Sequence, residues 1–569
     1  MHLLIYAFLL YGEEGLLKPD HTHQTTPEKV SDLKTAMAHS SLSSHREKTQ
    51  SKQLRQIDAL MKKSNQKKDG NPARYRLKST TDNLDQSKSY RKIIFGERDT
   101  DKAHNIILML GETGSGKTTL INTMINYICD VKRKHKVWFE ITDDQNDPES
   151  VYSQTSDVTV YGVYIQETSV DLTIIDTPGY GDTRGAHYDR EIAETLLRLC
   201  TSEDVISEIN AVCFVMKADQ NRLSERQHYI FDAVQSLFGK DIAENIVLLF
   251  THSTGVRPKN ALTAVKEAEV KCAVDEMNQP IYFLFNNCQE ETFDEEEQTI
   301  QDQAWNLSFR GMTEFFKFLD MIRPKTLEMT QDVLNKRREL EANISNLQSR
   351  VNIIDIKQNE LKQTQNAVVK NKQDVTRNKN FQYEVQVCYK EKVNIDPAVA
   401  KKATCCTVCE ENCHYPGCWW ITYLSWCFMM KSGHCTVCTN KCHHNKHIKE
   451  DKIYKTKTRV EKRTYEDLKK KYEDKIGDGE SLVNKLEEEL QQLEQEKIRL
   501  VIEAFNCVKS LEMIALNTYS LFTLQHMEFL IEKMKEIKEP EKAKALEDIK
   551  GEVGWKKGLT DNFKKLMIK

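Results

Sequence analysis

Residues 111–118 read Gly-Glu-Thr-Gly-Ser-Gly-Lys-Thr, which satisfies the G-x-x-x-x-G-K-[ST] pattern of a phosphate-binding loop. The residue types carry the chemistry. Glycines let successive backbone N–H groups close on phosphate oxygens, and a helix starting behind them adds the positive end of its dipole. Lys117 would neutralise the β- and γ-phosphates, and the Thr118 hydroxyl would ligate Mg2+. Gly111, Glu112, Thr113, Gly114, Ser115, Gly116, Lys117, Thr118 and Thr119 are therefore the candidate phosphate cradle. Such a loop needs a strand before it and a helix after it. Asn105–Leu110 is an apolar, β-capable run, and Leu120–Ile128 has helical spacing.

A second element of the same chemistry follows. Leu172-Thr-Ile-Ile-Asp-Thr-Pro-Gly179 is an apolar strand ending in D-x-x-G, with Asp176 60 residues beyond Gly116. Asp176 would hold Mg2+ through water. Gly179 would offer its N–H to the γ-phosphate and release it after hydrolysis. A switch threonine belongs in Ser153–Thr159 between them; Thr155 is the first candidate for the second Mg2+-facing hydroxyl, and Thr159 the alternative.

In this order, phosphate loop, switch threonine and Asp-Thr-Pro-Gly resemble the guanine-nucleotide-binding G domain of translation-factor-type GTPases. The text IIDTPGYGDTRG, with the later LFTHSTG and FNN, is similar to the septin-like branch, in particular the immunity-associated GTPases and their chloroplast-import relatives. The resemblance covers roughly residues 93–325. It implies an α/β fold, a P-loop NTPase G domain with a mostly parallel sheet and helices on both faces. It also implies GTP or GDP with Mg2+ as ligands, and a homodimer or oligomer formed through the G domain.

In the resembled proteins an [NT]-K-x-D segment reads the base, its Asp accepting two guanine protons that adenine does not offer. Met216-Lys217-Ala218-Asp219 carries the Lys-x-Asp but ends the strand Ala211–Val215, one strand too early. The next strand, Ile246–Phe250, ends in Thr251-His252-Ser253-Thr254, so Thr251 and His252 take the first two places and Thr254 stands for the Asp. A hydroxyl cannot accept both protons as a carboxylate does, which leaves guanine against adenine open. The strand Ile281–Phe285 ends in Asn286-Asn287, a pair that lies against the base in the immunity-associated branch. Glu290 or Glu291 could supply the missing carboxylate.

Tyr180 follows Gly179, whereas GTPases of the Ras kind position water with a Gln in this region. Slow hydrolysis is expected unless another chain assists. Asn221-Arg222-Leu-Ser-Glu225 is similar to the G-R-[FY]-T-E segment of the immunity-associated GTPases, where an Arg can reach across a dimer. Arg222 is the candidate finger in trans and Arg184 the alternative. Lys117, Thr155, Gly179 and Arg222 form the expected catalytic set.

The elements that position these residues are part of a longer chain. Its 569 residues can hold about three or four domains. A net charge of −4 with 30% charged residues argues against general nucleic-acid binding. The hydrophobic fraction, 39%, calls for extended helix or disorder in part of the length. The apolar start MHLLIYAFLL has no preceding Lys or Arg and no Ala-x-Ala site after it, and is too short to span a bilayer. A cytoplasmic chain is expected. Residues 16–90 are polar, and the basic run 46–78 reads as a solvated tail. Residues 1–92 are therefore expected to be disordered, ahead of the G domain at 93–325.

After Pro324 the pattern becomes long helix. Val333, Leu340, Leu347, Ile354, Leu361, Val368 and Val375 recur every seventh residue, joined by Ile344 and Val351 and then by Gln358, Gln365 and Lys372 at the second seam position. Val483, Leu486, Leu490, Leu493 and Leu500 form another stretch. An intramolecular hairpin and an intermolecular coiled coil both fit, with helical segments at 326–385 and 451–569.

Between them, at 386–450, Cys406-Thr-Val-Cys409-Glu-Glu-Asn-Cys413-His414 recurs as Cys435-Thr-Val-Cys438-Thr-Asn-Lys-Cys442-His443, 29 residues on. Cys-x-x-Cys brings two thiolates to one tetrahedral ion. Each copy could hold one Zn2+ with three Cys and one His. Alternatively the two Cys-x-x-Cys pairs share one ion and leave the rest for a second. Cys405, Cys418, His434, His444 and His447 are spare ligands, and disulfides or free thiols are the other reading. The apolar stretch Trp419–Met430 fits a small core around the metal, or a dip into a bilayer interface with Cys418 or Cys427 acylated.

The expected function is a nucleotide switch that relays the state of its G domain through helices and a zinc module to an unidentified protein partner or a membrane. A nucleotide-binding scaffold that barely hydrolyses, and an ATPase on the same loop, are the alternatives.

Overall fold

Unbroken runs of Val, Ile, Leu and Phe favour strands covered on both faces, and such strands carry the phosphate loop. In the computed structural model of the chain the described residues are those of 52–553 apart from 82–89, 143–156, 180–191, 193–194, 197–198, 200–206, 220–229, 233, 289–297, 378, 398–399, 416–422, 428, 473–478 and 518–520. The strands of the first half are β1 (Ser64–Lys68), β2 (Ala73–Leu77), β3 (Thr80–Thr81), β4 (Tyr90–Gly96), β5 (Ala103–Gly111), β6 (Val137–Glu140), β7 (Val158–Tyr164), β8 (Val170–Asp176), β9 (Glu208–Ile209), β10 (Ala211–Lys217), β11 (Ile246–Thr251) and β12 (Tyr282–Leu284). The main sheet has the order β12-β11-β10-β5-β8-β7-β4-β3. Its first five strands are parallel, β7 runs antiparallel to β8, β4 lies parallel to β7 and β3 closes the edge antiparallel to β4.

Helices α1 (Lys117–Ile128), α2 (Lys259–Glu267) and α3 (Gln298–Met321) belong to this half. Alternation along β5 feeds two cores. Ile106, Leu108 and Leu110 pack with Phe214, Phe231, Leu262 and Val265, while Ile107 and Met109 are fully buried in between. Ring contacts tie α1, β6 and α3 together: Tyr127 stacks on Phe316, with centroids 5.2 Å apart, and Trp138 meets Trp305 edge-on at 5.6 Å. The G-domain architecture expected from sequence is the one observed.

The expectation of disorder over 1–92 does not hold for its described part. Residues 52–62 are helical, and β1, β2 and β6 form a three-stranded sheet. For the sheet the reason is a distant partner. Glu140 is fully buried on β6, and the basic residues that read as a solvated tail neutralise it: Lys67 Nζ lies 3.3 Å away and Arg74 Nε donates to its other oxygen. A buried carboxylate without such partners would be strongly destabilising.

The second half opens with β13 (Lys325–Thr326), paired with β9. It continues through α4 (Glu328–Lys370), α5 (Lys372–Thr376), β14 (Gln382–Asn394), β15 (Ala403–Cys406), β16 (Glu411–His414), β17 (Met430–Lys431), β18 (His434–Cys435), β19 (His447–Glu450), β20 (Lys452–Thr464), α6 (Tyr465–Lys471), α7 (Gly479–Ile514), α8 (Leu521–Glu536) and α9 (Pro540–Val553). The heptad seam of α4 is filled within the chain. Val333, Leu340, Ile344, Leu347 and Val351 share one core with Leu500, Phe505, Val508 and Leu511 of α7 and with residues of α8 and α9. Leu361 and Val368 meet Leu482 and Leu486 further along, so α4 and α7 run antiparallel. The polar seam positions have polar partners: Gln358 Nε2 donates to Glu494 Oε2 at 2.9 Å, and Gln365 Nε2 to Glu487 Oε1 at 3.0 Å. Lys372 lies beyond the end of α4, at the first residue of α5.

Two boundaries differ from expectation. β14 and β20 pair over their whole length, from Gln382 opposite Thr464 to Asn394 opposite Lys452. The ribbon starts before residue 386, and it takes 452–464 out of the helical region. Tyr383, Val385 and Val387 alternate with exposed polar residues, a period of two that excludes helix. The tail also shares the G-domain core: Leu327 and Leu334 belong to it, Arg337 Nε donates to Ser236 O at 2.7 Å, and Leu516 N donates to Phe238 O at 2.9 Å. Among the described residues no helix is long and apolar enough to cross a membrane.

Candidate functional site

β5 delivers the chain to Gly111, and α1 begins at Lys117 with Gly116 as its N-cap at φ 84°. Gly114 is also left-handed, at φ 75°. The loop between them wraps Lys117, which is only 6% exposed and whose Nζ donates to Gly111 O and Glu112 O, each at 3.1 Å. Burial lowers the Lys117 pKa, opposed by the charges of Asp176 and Glu112. Asp176, at the end of β8, is fully buried. Its burial raises its pKa to about 6 against the pull of Lys117. Thr118 Oγ1 stands 3.4 Å from Asp176 Oδ2. Three buried polar atoms at this spot, Thr113 Oγ1, Ser115 Oγ and Asp176 Oδ1, have no hydrogen-bond partner in the protein. Each such atom costs about 1–3 kcal/mol. The donor set fits a nucleoside triphosphate with Mg2+: Lys117 and the loop amides would hold phosphate oxygens, and Thr118 and Asp176 the ion. Thr119, one residue on, lies in the first turn of α1.

Gly179 closes directly on this loop. A Cβ there would lie 2.4 Å from Thr113 N and 2.2 Å from its Oγ1, so only glycine permits the approach. On the other side Thr251 Oγ1 donates to Ser115 O at 2.7 Å. His252, at φ 53°, places Cε1 3.8 Å from where a Gly116 Cβ would be. Thr251 and His252 therefore brace the phosphate loop from β11. Ser308 of α3 fixes the Asn pair: its Oγ accepts from Asn286 N at 2.9 Å, and its proton faces Asn286 O at 2.8 Å and Asn287 Oδ1 at 3.2 Å. Asn287 Nδ2 is a buried donor without a partner. Ser308 carried no signal in the sequence, being a helical serine far from any motif. Lys217 at the end of β10 lines a cavity of about 140 Å3 with Gly111, Glu112, Thr113 and Ser115.

Thr155, Arg222, Arg184, Glu290, Glu291 and Cys418 lie outside the described residues. Thr159, the alternative switch threonine, is fully buried within β7 opposite Asp176, and its Oγ1 donates to Asp157 O at 3.2 Å. It is a sheet residue.

Residues 104–304 match the model of the AIG1 family. This segment is an AIG1-type, septin-like P-loop GTPase G domain. Protein SEY1 of Eremothecium gossypii is 30% identical over 203 residues, 34% of this chain and 24% of that protein. Septin homolog spn2 of Schizosaccharomyces pombe is 35% identical over 79 residues, 13% of this chain and 20% of that protein. The chain thus spans about a quarter or less of the length of these relatives. A crystal structure of Toc33 from Arabidopsis thaliana with GDP and Mg2+ is similar at 15% identity and a TM-score of 0.28, over 39% of this chain and 88% of that one.

Beyond the AIG1-type domain, the cysteine repeat folds back on itself. The metal-binding atoms of Cys406, Cys409, Cys438 and Cys442 lie within 4.8 Å of one another, and so do those of Cys413, Cys435, Cys438 and His447. Neither expected arrangement is the one formed: each group takes residues from both copies, which differs from one ion per repeat, and Cys442 rather than Cys435 joins the first Cys-x-x-Cys, which differs from the two Cys-x-x-Cys pairs sharing an ion. His414 and His443 stand outside both groups. His414 Nδ1 faces Cys427 Sγ at 3.4 Å, and His443 offers its carbonyl to His447 Nδ1 at 3.2 Å. Antiparallel pairing of β15 with β19 sets Cys406 opposite His447, which brings the later histidine in. Of the other spare ligands, Cys405 is a buried thiol pushed up to about 12 by its burial, His434 is exposed beside Ser432 O, and the His444 ring packs on His443. All described cysteines are free thiols. Hydrogen bonds from Cys413 and Cys435 hold the Cys438 thiol far below its ordinary range against the cost of burial. Cys427, Met429 and Met430 pack into the same cluster, as the core reading of that stretch expects.

Proposed function

We propose that the chain is a GTP-binding switch that hydrolyses its nucleotide slowly and works as a dimer or larger homo-oligomer. The observation carrying the nucleotide reading is the trio of buried, unpartnered atoms around Lys117: Thr113 Oγ1, Ser115 Oγ and Asp176 Oδ1. A triphosphate and its Mg2+ would give these groups the partners that the protein withholds. Mg2+, when bound, neutralises phosphate charge. Lys117 and the loop amides would meet the charge that develops as water attacks the γ-phosphorus in line and the β–γ bridging oxygen leaves with GDP. Asn287 supports guanine. Its Oδ1 is engaged by Ser308, so its free Nδ2 donor suits guanine O6, an acceptor, and opposes the adenine amino group.

The experiment is titration of the full chain with a fluorescent GTP analogue in Mg2+, beside Lys117→Ala and with ATP as competitor. A loss of affinity of at least a hundredfold in a variant that still melts cooperatively is the expected result. Undiminished binding by that variant refutes the phosphate-loop reading, and ATP competing as well as GTP refutes guanine preference. Dimerisation rests on the segment around Arg222. A single-turnover rate that rises with protein concentration supports a finger supplied in trans, whereas a flat, negligible rate favours the scaffold reading, which the Tyr180 position also suits.

We also infer that the cysteine module holds zinc as a structural metal, in a cytoplasmic setting where thiols stay reduced. A half-buried set of four sulfurs and a buried set of three sulfurs and one imidazole, with Cys438 in both, are the donor chemistry zinc prefers. Metal analysis of the purified chain tests this.

A further inference from the structure

The cysteine module gathers seven ligand atoms, and a tetrahedral ion can use four. We propose that it holds two zinc-class divalent ions, with Cys438 Sγ bridging them. The proposal rests on the zinc reading above and goes beyond it in number and connectivity.

Geometry carries the case. Zinc–sulfur bonds of about 2.3 Å in a tetrahedron give sulfur–sulfur edges of about 3.8 Å, and Cys409 Sγ lies 3.7 Å from Cys442 Sγ. Were Cys438 to serve Cys406, Cys409 and Cys442 alone, Cys413, Cys435 and His447 would stay gathered and buried one ligand short. Among the described residues the only metal-binding atom grouped with those three is Cys438 Sγ again.

His447 gives an independent sign. It is 3% exposed, its side chain reaches the Cys435 and Cys438 sulfurs, and its Nδ1 is turned to His443 O. A ligating histidine has this form, with one nitrogen held by a carbonyl and the other presented to the ion. The sulfurs are also prepared for charge. Cys442 N donates to Cys438 Sγ at 3.2 Å, Val437 N and Cys438 N donate to Cys435 Sγ at 3.3 and 3.4 Å, and Cys409 N donates to Cys406 Sγ at 3.4 Å. Amide donors favour thiolate over thiol.

Loading two ions needs all six cysteines as thiolates, so every S–H proton still present passes to solvent, and seven metal–sulfur bonds and one metal–nitrogen bond form. No electron changes hands. The consequence is mechanical. One ion joins β15 to the turn after β18, the other joins β16 and β18 to β19, and the shared sulfur makes the tip of the β14–β20 ribbon a single cooperative unit.

The test uses the full chain. Elemental analysis should find two zinc ions per chain, and under chelator challenge Cys409→Ser and Cys413→Ser should each speed the release of one ion, whereas Cys438→Ser speeds both. In the unmutated chain loaded with Co2+, the high-spin electron paramagnetic resonance signal should grow to one equivalent and then fall as the second ion enters, because a thiolate bridge couples the two spins. One zinc per chain overturns the bridge and leaves the zinc reading standing; none overturns both. Linear growth of the cobalt signal to two equivalents, or loss of one ion in Cys418→Ser with Cys438→Ser affecting only the other, also overturns the bridge.

Discussion

Asp176 gives a prediction whose size can be worked from its surroundings. In the nucleotide-free chain it is a fully buried carboxyl with a pKa of about 6, burial outweighing the attraction of Lys117; its ordinary value is 3.8. Between those two pH values the folded chain keeps a proton that the unfolded chain has lost. Stability therefore falls as pH rises through this window, and the loss is complete above about pH 6. A shift of about two units at about 1.36 kcal/mol per unit gives about 3 kcal/mol. Asp176→Asn cannot ionise and keeps an oxygen for the Thr118 hydroxyl. Urea unfolding without Mg2+ or nucleotide should show the variant gaining about 3 kcal/mol on the native chain between pH 4 and pH 7.5. Comparing the two chains at each pH cancels the other titrations. Lys117, deprived of its neighbouring charge, acts in the same direction, since a buried ammonium costs most at low pH. The same variant should bind GTP at least tenfold more weakly in Mg2+, because the group that costs stability is the one reserved for the ion. A stability gap that stays flat from pH 4 to 7.5 would refute the argument, as would unchanged Mg2+-dependent binding.

Gly179→Ala places a methyl group 2.4 Å from Thr113 N, so affinity for a GTP analogue should fall at least tenfold while GDP affinity changes little; equal effects on both would show that Gly179 does not sense the γ-phosphate. Leu347, 3% exposed in the α4–α7 core, should cost about 2–5 kcal/mol as Leu347→Ala in urea unfolding, with nucleotide affinity untouched. Arg337→Ala removes the hydrogen bond to Ser236 O, and amide exchange at residues 234–238 should quicken by about tenfold, measured by mass spectrometry.

The G domain was legible because its signals are local. A strand, a glycine loop and a helix are contiguous, and Asp176 and Gly179 end a strand whose apolar run is unmistakable. The helical tail was half legible. The heptad seam named the buried face of α4, but the pattern is the same whether the partner helix belongs to this chain or another. The glutamines at 358 and 365 look like defects until Glu494 and Glu487 stand opposite them. The basic N-terminal stretch was misread for a related reason. Lys67 and Arg74 count as solvating charge until the one buried acid they serve, Glu140, is brought beside them from 66 residues beyond Arg74.

The cysteine repeat shows the same limit most sharply. Its local text offers three Cys and one His twice over, and it allows either one ion per copy or one ion shared by the two Cys-x-x-Cys pairs with the rest left for a second. Nearness in space is set by strand pairing instead: β15 lies between β16 and β19, so Cys406 meets His447 across the sheet while His414 turns to Cys427. A ligand set distributed over two copies cannot be assembled by either alone. The groups that form join Cys438 and Cys442 to the first Cys-x-x-Cys and Cys435 to Cys413, a partition that neither copy nor a simple sharing of the two Cys-x-x-Cys pairs dictates, and the histidine directly after each last cysteine stays outside both groups while His447, four residues past His443, enters by strand pairing.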